Sequence, residues 1–272
     1  MIFNSLGSNY TFKFAFNALF SVGRDSDKQE LKSYLEKKYQ GEAILLYKGR
    51  EAIKLALKML NLPKNSKVGL IGFTCYAVYQ AIKESGLKPV FLDIDQSLNF
   101  QSDKLSEFKV VIIQNTLGNP CDIQSISKIC KEKNIILIED LAHSIGTLYR
   151  DGREAGTVGD FTALSFSQDK AVDAVSGGVL IVRNTKYFSF DTGQLKNLSL
   201  TVRLKDRFYP ILTFKIRKLY PYGLGKFFHY ILKNLNLLSK PIEVDKSIVF
   251  QNMSNWHGKF IKSSFKDYEN IL

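Results

Sequence analysis

The sequence predicts an α/β domain built on a mainly parallel sheet. Two observations predict it. From residue 67 onward, short apolar runs alternate with helical stretches, the order of strand–helix repeats. The runs are apolar along nearly their whole length, the pattern of strands covered on both faces. With 272 residues, 45% hydrophobic and 24% charged, the chain has material for one large domain, or one domain plus a partial second.

The elements follow in order. Phe12–Val22 is apolar but interrupted by Lys13, and no A-x-A site follows, so residues 1–27 read as a docking segment rather than a signal peptide. Residues 25–40 are charged, with Leu31, Tyr34 and Leu35 at helical spacing. Ala43–Tyr47 is a strand, and Gly49-Arg50-Glu51 opens a helix with apolar residues on more than one face, which predicts burial. VGLIGF is a strand followed by the helix YAVYQAIKESG. VFLDI and VVIIQNT are strands, DIQSISKICKEKN is a helix, and IILIED, FTALSFS and GVLIVRN are three further strands. The last two lie close together with no helix between them, so some antiparallel pairing is expected. From Asn252 the chain reads as helix to its end.

The net charge of +12 and pI of about 9.4 suit anionic partners: phosphorylated small molecules, nucleic acid or an acidic membrane surface. Segment 201–240 concentrates the charge, with nine Lys/Arg and one acid, Asp206, among Phe, Tyr and Leu. Two readings stand: a dimer-facing or solvated insertion, or amphipathic helices in peripheral contact with an anionic membrane. No nucleic-acid-binding module is recognisable, so that partner is not expected. No run of about 18 apolar residues predicts a membrane span. Cys75, Cys121 and Cys130 form neither a disulfide framework nor a zinc pattern, and a reducing cytoplasm is the expected compartment. His143, His229 and His257 lack ligand spacing, and no GxGxxG or P-loop motif is present.

Ligands of α/β sheets sit beyond the carboxyl ends of the strands, and several chemistry-bearing residues fall there. Gly49 and Arg50 open a helix whose free N–H groups favour a phosphate; the alternative is an ordinary strand-to-helix turn. Asp140 ends a strand: a carboxylate there keeps a neighbouring pyridinium nitrogen protonated, or it caps a helical turn. His143 faces a ring or is structural. Lys170, five residues after Ser165 and close to Gly177-Gly178, has an amine suited to a Schiff base if partly desolvated; otherwise it is a solvated charge.

These residues resemble the DegT/StrS family of pyridoxal 5′-phosphate (PLP)-dependent sugar aminotransferases. The block EDLAHSIGTLYRDGREAGTVGDFTALSFSQDK, residues 139–170, carries the resemblance, supported by GREAIKLAL (49–57), FTCYAVYQAI (73–82), GLKPVFLDID (86–95), LGNPCDI (117–123) and SGGVLIV (176–182). It covers residues 28–184, read as a PLP-binding large domain of the aspartate-aminotransferase-like, fold type I class. Residues 185–251 are then a basic, aromatic-rich insertion or linker, and 252–272 a helix starting a C-terminal domain. The resemblance implies that Lys170 holds PLP and shuttles a proton, Asp140 pairs with the pyridine nitrogen, Gly49, Arg50 and Ser165 bind the phosphate, and His143 lies close to the ring. It also implies a nucleotide-linked keto sugar and L-glutamate as substrates, and a homodimer.

Several positions depart from the family pattern. Cys75 stands where an aromatic usually stacks on the ring, with Phe73 and Tyr76 nearby. Ala171 replaces an Asn, Ser176 a Glu, and Phe250 and Asn252 the Asn and Arg of the "N-RMSN" segment. The family continues for roughly another hundred residues as a small domain, so the sequence reads either as a fragment or as a shortened relative that is weakly active or works with a partner. A dehydrating branch of the family carries His in place of the lysine, and Lys170 argues against it.

Overall fold

A computed structural model of the chain describes residues 10–96, 98–99, 102–188, 190–240 and 247–269. Seven strands form one sheet: β1 (Glu42–Leu46), β2 (Lys67–Ile71), β3 (Lys88–Leu92), β4 (Val110–Gln114), β5 (Ile136–Asp140), β6 (Phe161–Ser165) and β7 (Gly178–Val182), in the spatial order β1-β7-β6-β5-β4-β2-β3. Strands β2 to β6 pair in parallel. Only β7 runs antiparallel, against both β6 and β1. The carboxyl ends of β1, β2, β3, β4, β5 and β6 therefore share one edge of the sheet.

Strand residues alternate between two cores because successive side chains point to opposite faces. Ile44 and Leu46 of β1 join one cluster, together with Val68, Leu70 and Ile112; helices α3 (Gly49–Met59) and α4 (Tyr76–Glu84) cover it through Ile53, Leu57, Val78 and Ile82. Ala43 and Leu45 join the other, with Val111, Ile113 and Val179, under α2 (Asp25–Tyr39), α5 (Ile123–Lys133) and α8 (Asn255–Glu269). Full burial of each Leu or Ile here contributes about 1.5–3 kcal/mol. Seven of the eleven residues of α3 are buried, which explains why its apolar positions are not confined to one stripe.

A smaller third cluster joins α1 (Phe12–Phe20), α6 (Leu200–Leu219) and α7 (Leu224–Asn234) to the sheet domain through Tyr10, Val175, Tyr209, Ile216 and Leu232. The apolar N-terminal stretch thus folds as a helix against α6: the Phe12 ring lies 5.7 Å from that of Phe214. Segment 201–240 is largely helical, and α6 begins under a Ser199 cap whose hydroxyl accepts the Val202 N–H.

Two elements differ from their sequence reading. The VFLDI strand is read as buried, but β3 is an edge strand and Phe91 is exposed; Lys88 and Pro89 suit an edge that offers few donors. The C-terminal helix starts at Asn255 rather than Asn252, and its predicted last residues lie outside those described. Its start is delayed because residues 251–252 stay extended beside β1: the Tyr47 N–H donates to Gln251 O and the Asn252 N–H to Lys196 O.

Candidate active site

The shared carboxyl edge carries the predicted residues in a row. Register pairs Gln114 with Asp140, Asp140 with Ala163, Ser165 with Gly178, and Gly178 with Leu46. Gly49 follows β1 as the first residue of α3, and Ser165 ends β6 beside it. A Cβ on Gly49 would lie 2.7 Å from Ser165 Cβ and 2.9 Å from its Oγ, so only glycine fits. Gly178 is held more tightly, since its Cβ would lie 2.3 Å from the carbonyl carbon of Lys48. Two glycines therefore bring the N-terminal turn of α3 against the Ser165 hydroxyl. That is a donor set for an anion such as a phosphate. Arg50 points sideways, its Nη1 donating to Gln80 Oε1 of α4 at 3.4 Å.

Asp140, His143 and Lys170 form a second group along the same edge. Asp140 is 5% exposed and accepts the Ala142 N–H at 3.0 Å. Burial pushes its carboxyl above the ordinary carboxylate range, opposed by that N–H and by the positive charge of Lys170. Partial burial, with Lys170 adding to it, holds the His143 imidazole below its usual pKa. Both residues thus sense the Lys170 amine. His143 Nδ1 lies 3.4 Å from Gln114 Nε2, and Gln114 Oε1 accepts the Thr74 hydroxyl at 2.8 Å. Cys75 follows Thr74 as the exposed cap residue of α4, and among the described residues it makes no hydrogen bond to this group.

The loop bearing Lys170 is strained and braced. Asp169, immediately before the lysine, has φ of 67°, and the β-branched Val175 has φ of 69°. Such values persist only where surroundings enforce them, and they cluster at functional sites. Asp173 is the brace. Its carboxylate accepts the Asp169 and Val175 N–H groups and the Tyr10 hydroxyl, while its carbonyl accepts the Ser264 hydroxyl from α8.

A matching profile of the DegT/DnrJ/EryC1/StrS aminotransferase family spans residues 18–211. The chain belongs to that family. GDP-perosamine synthase of Vibrio cholerae is 31% identical over 179 residues, 64% of this chain and 47% of that protein. GDP-perosamine synthase of Escherichia coli O157:H7 is 27% identical over 157 residues, 56% of this chain and 43% of that one. These matches span about half the length of either relative. An aminotransferase from Psychrobacter cryohalolentis has the same fold, with a TM-score of 0.67 at 17% identity over 97% of this chain and 64% of that one.

PLP is the cofactor of this DegT/DnrJ/EryC1/StrS aminotransferase domain, and the residues present fit it. The Gly49–Ser165 cradle excludes any Cβ and offers donors to a phosphate. Asp140 is a buried carboxylate that accepts the Ala142 N–H and feels the Lys170 charge, and a protonated ring nitrogen would give it a closer cation.

Sequence reasoning missed the supports of these groups. Glu139, fully buried, points to the opposite face from Asp140. It accepts the N–H groups of Gly156, Val158 and Gly159, the Tyr149 hydroxyl and a guanidinium N–H of Arg183. It fastens the long loop between β5 and β6. Behind the phosphate cradle, the Tyr47 hydroxyl donates to Asp206 Oδ2 at 2.9 Å, and His257 Nε2 lies 2.9 Å from the same oxygen. Burial alone pushes the Asp206 carboxyl up, but hydrogen bonding and charge from His257, with Ser239 and Tyr47, hold it below its ordinary value. The lone acid of the basic segment was the available signal: a single carboxylate among nine cations calls for a specific partner.

Proposed function

We propose that this chain is the cofactor-binding part of a PLP-dependent aminotransferase that moves an amino group from L-glutamate to a keto sugar carried on a nucleotide. The product serves polysaccharide or glycoconjugate synthesis, and the protein works as a cytoplasmic homodimer. The observation that carries the reading is the convergence of Asp140, His143 and Lys170 beside the Gly49–Ser165 cradle. The relatives named GDP-perosamine synthase support a nucleotide-sugar substrate, and a chain of net charge +12 suits an anionic one.

The bound cofactor supplies an electron sink for a carbanion at the amino-bearing carbon. The chain's own residues do the rest. The start of α3 and the Ser165 hydroxyl bind the phosphate and set the depth of the ring. Asp140 holds a proton on the ring nitrogen, because a buried carboxylate is stabilised by a cation beside it. Lys170 Nζ would hold the cofactor covalently and, as a free amine, would be the base for the substrate Cα proton. His143, held neutral by its surroundings, packs beside the ring without competing for that proton. Cys75, the cap residue of α4, and Arg50, next to Gly49 in α3, would border the bound cofactor.

The test is the visible absorbance of the purified chain with PLP, recorded beside Lys170→Ala and then after L-glutamate. The parent is expected to show a visible absorption band that the variant lacks and that glutamate bleaches. A band indifferent to glutamate would reject the donor assignment while keeping the cofactor. A folded parent with no band would overturn the reading.

A further inference from the structure

The hairpin made by α6 and α7 carries charge of one sign on its outer surface. The only acid between residues 201 and 240, Asp206, is 1% exposed and spent on Tyr47 and His257. Lys215, Lys218, Lys226 and Lys233 are all exposed.

Large apolar side chains project among these cations. At the turn between the helices, Leu219, Tyr222, Leu224 and Phe227 are 36%, 77%, 58% and 65% exposed. They are not displaced core residues. The core of the hairpin is Tyr209, Ile216 and Leu232, on the inward faces of the same helices. The turn itself is built rigidly: Gly223 takes φ of 74°, and a Cβ on Gly225 would lie 2.3 Å from Ile216 O, so α7 is pressed directly onto α6. The result is a close-packed turn that exposes four large apolar groups, with Lys215, Lys218 and Lys226 beside them.

We propose that this turn docks on the surface of an anionic lipid bilayer. Leu219, Tyr222, Leu224 and Phe227 enter the headgroup boundary, where aromatic rings are favoured. Lys215, Lys218 and Lys226, which flank the turn, lay their stems on the same boundary and place their ammonium groups at lipid phosphates, and Lys233 at the far end of α7 adds longer-range attraction. The contact is superficial, since no helix among the described residues is long and apolar enough to cross a membrane. A second copy of the chain is a poor occupant. A two-fold interface sets the same patch against itself and would press lysines on lysines.

Co-sedimentation of the full chain with vesicles tests this. One set is phosphatidylcholine alone and the other contains added phosphatidylglycerol, each at low and high salt. The chain is expected to pellet with the anionic vesicles at low salt and to be released by high salt. Lys218→Gln with Lys226→Gln should weaken binding roughly thirtyfold, and Tyr222→Ser with Phe227→Ser should also release the chain. Circular dichroism checks that these exposed substitutions leave the fold intact. Absence of binding to anionic vesicles, or binding indifferent to all four substitutions, overturns the proposal. So does self-association without lipid that the same substitutions abolish, or release from vesicles by a soluble acidic protein alone while salt has no effect.

Discussion

Glu51 lies in the first turn of α3 and is 3% exposed, its Oε2 accepting the Gln251 N–H at 2.8 Å. Burial pushes its carboxyl up from an ordinary 4.5 to about 8, against the pull of Gln251, Lys48, Tyr47 and Arg50. The folded state therefore keeps a proton that the unfolded chain releases between pH 4.5 and 8. The stability this proton confers is complete below the lower value and is lost as pH rises through the upper one. Glu51→Gln should flatten that part of the melting-temperature profile and melt higher than the parent above pH 8. Parallel pH slopes for the two proteins would reject the assignment. A neutral Glu51 also suits its place beside the cradle, where a carboxylate would repel a bound phosphate.

The four candidate residues Gly49, Asp140, Ser165 and Lys170 are legible in the sequence because each ends a strand or follows one at short spacing, and strands announce themselves by apolar runs. Their supports are not legible. Tyr47 and Asp206 are 159 residues apart, and Asp206 and His257 are 51 apart. Nothing in either local sequence says that one will meet the other. Glu139 is hidden for another reason: alternation along β5 sends it to the face opposite Asp140, so two adjacent acids in one motif serve separate purposes.

At the scale of elements, β7 is the piece on which the site depends. It runs antiparallel between β6 and β1, and so sets the distance between Ser165 and the start of α3. Gly178 makes that distance possible. Gly178→Ala forces its Cβ onto the backbone of Lys48 and Gly49, which should cost about 1–3 kcal/mol in a chemical denaturation curve. The same variant should weaken PLP binding more than a comparable loss of stability elsewhere in the sheet. If the variant unfolds like the parent and binds PLP equally well, the close approach is unimportant. The antiparallel turn of β7 was expected from the missing helix between the last two strands. The edge position of β3 was not, because the short apolar run Val90-Phe91-Leu92 looks alike at the edge and in the centre of a sheet, and only Lys88 and Pro89 before it point to an edge.

Across the whole molecule, a helical layer covers each face of the sheet, and the α1–α6–α7 cluster packs onto the loop after β6 through Val175. The Lys170 loop is tied to Tyr10 near the N-terminus and to Ser264 of α8. A ligand gripping that loop therefore stabilises elements far apart in sequence. PLP at about a hundred times its Kd adds about 2.7 kcal/mol, which should raise the melting temperature by roughly 5 °C or more. Lys170→Ala and Asp140→Ala should each reduce the shift. Differential scanning fluorimetry of the three proteins with and without PLP measures it, and a parent that melts at the same temperature in both conditions would exclude tight cofactor binding.

By itself the sequence determined the α/β class, the order of the strands along the chain and the family, and it nominated the residues proposed for the site. Those features are written locally, in apolar runs of fixed period and in motifs whose members lie a few residues apart. Tertiary structure alone decided which strand takes the edge, how residues 251–252 close against β1, and how Asp206 escapes an otherwise basic surface to pair with Tyr47 and His257. It also decided that the aromatics of the α6–α7 turn face outward rather than join a core. Each is a pairing of distant segments, settled by which buried groups find partners once the chain has closed on itself.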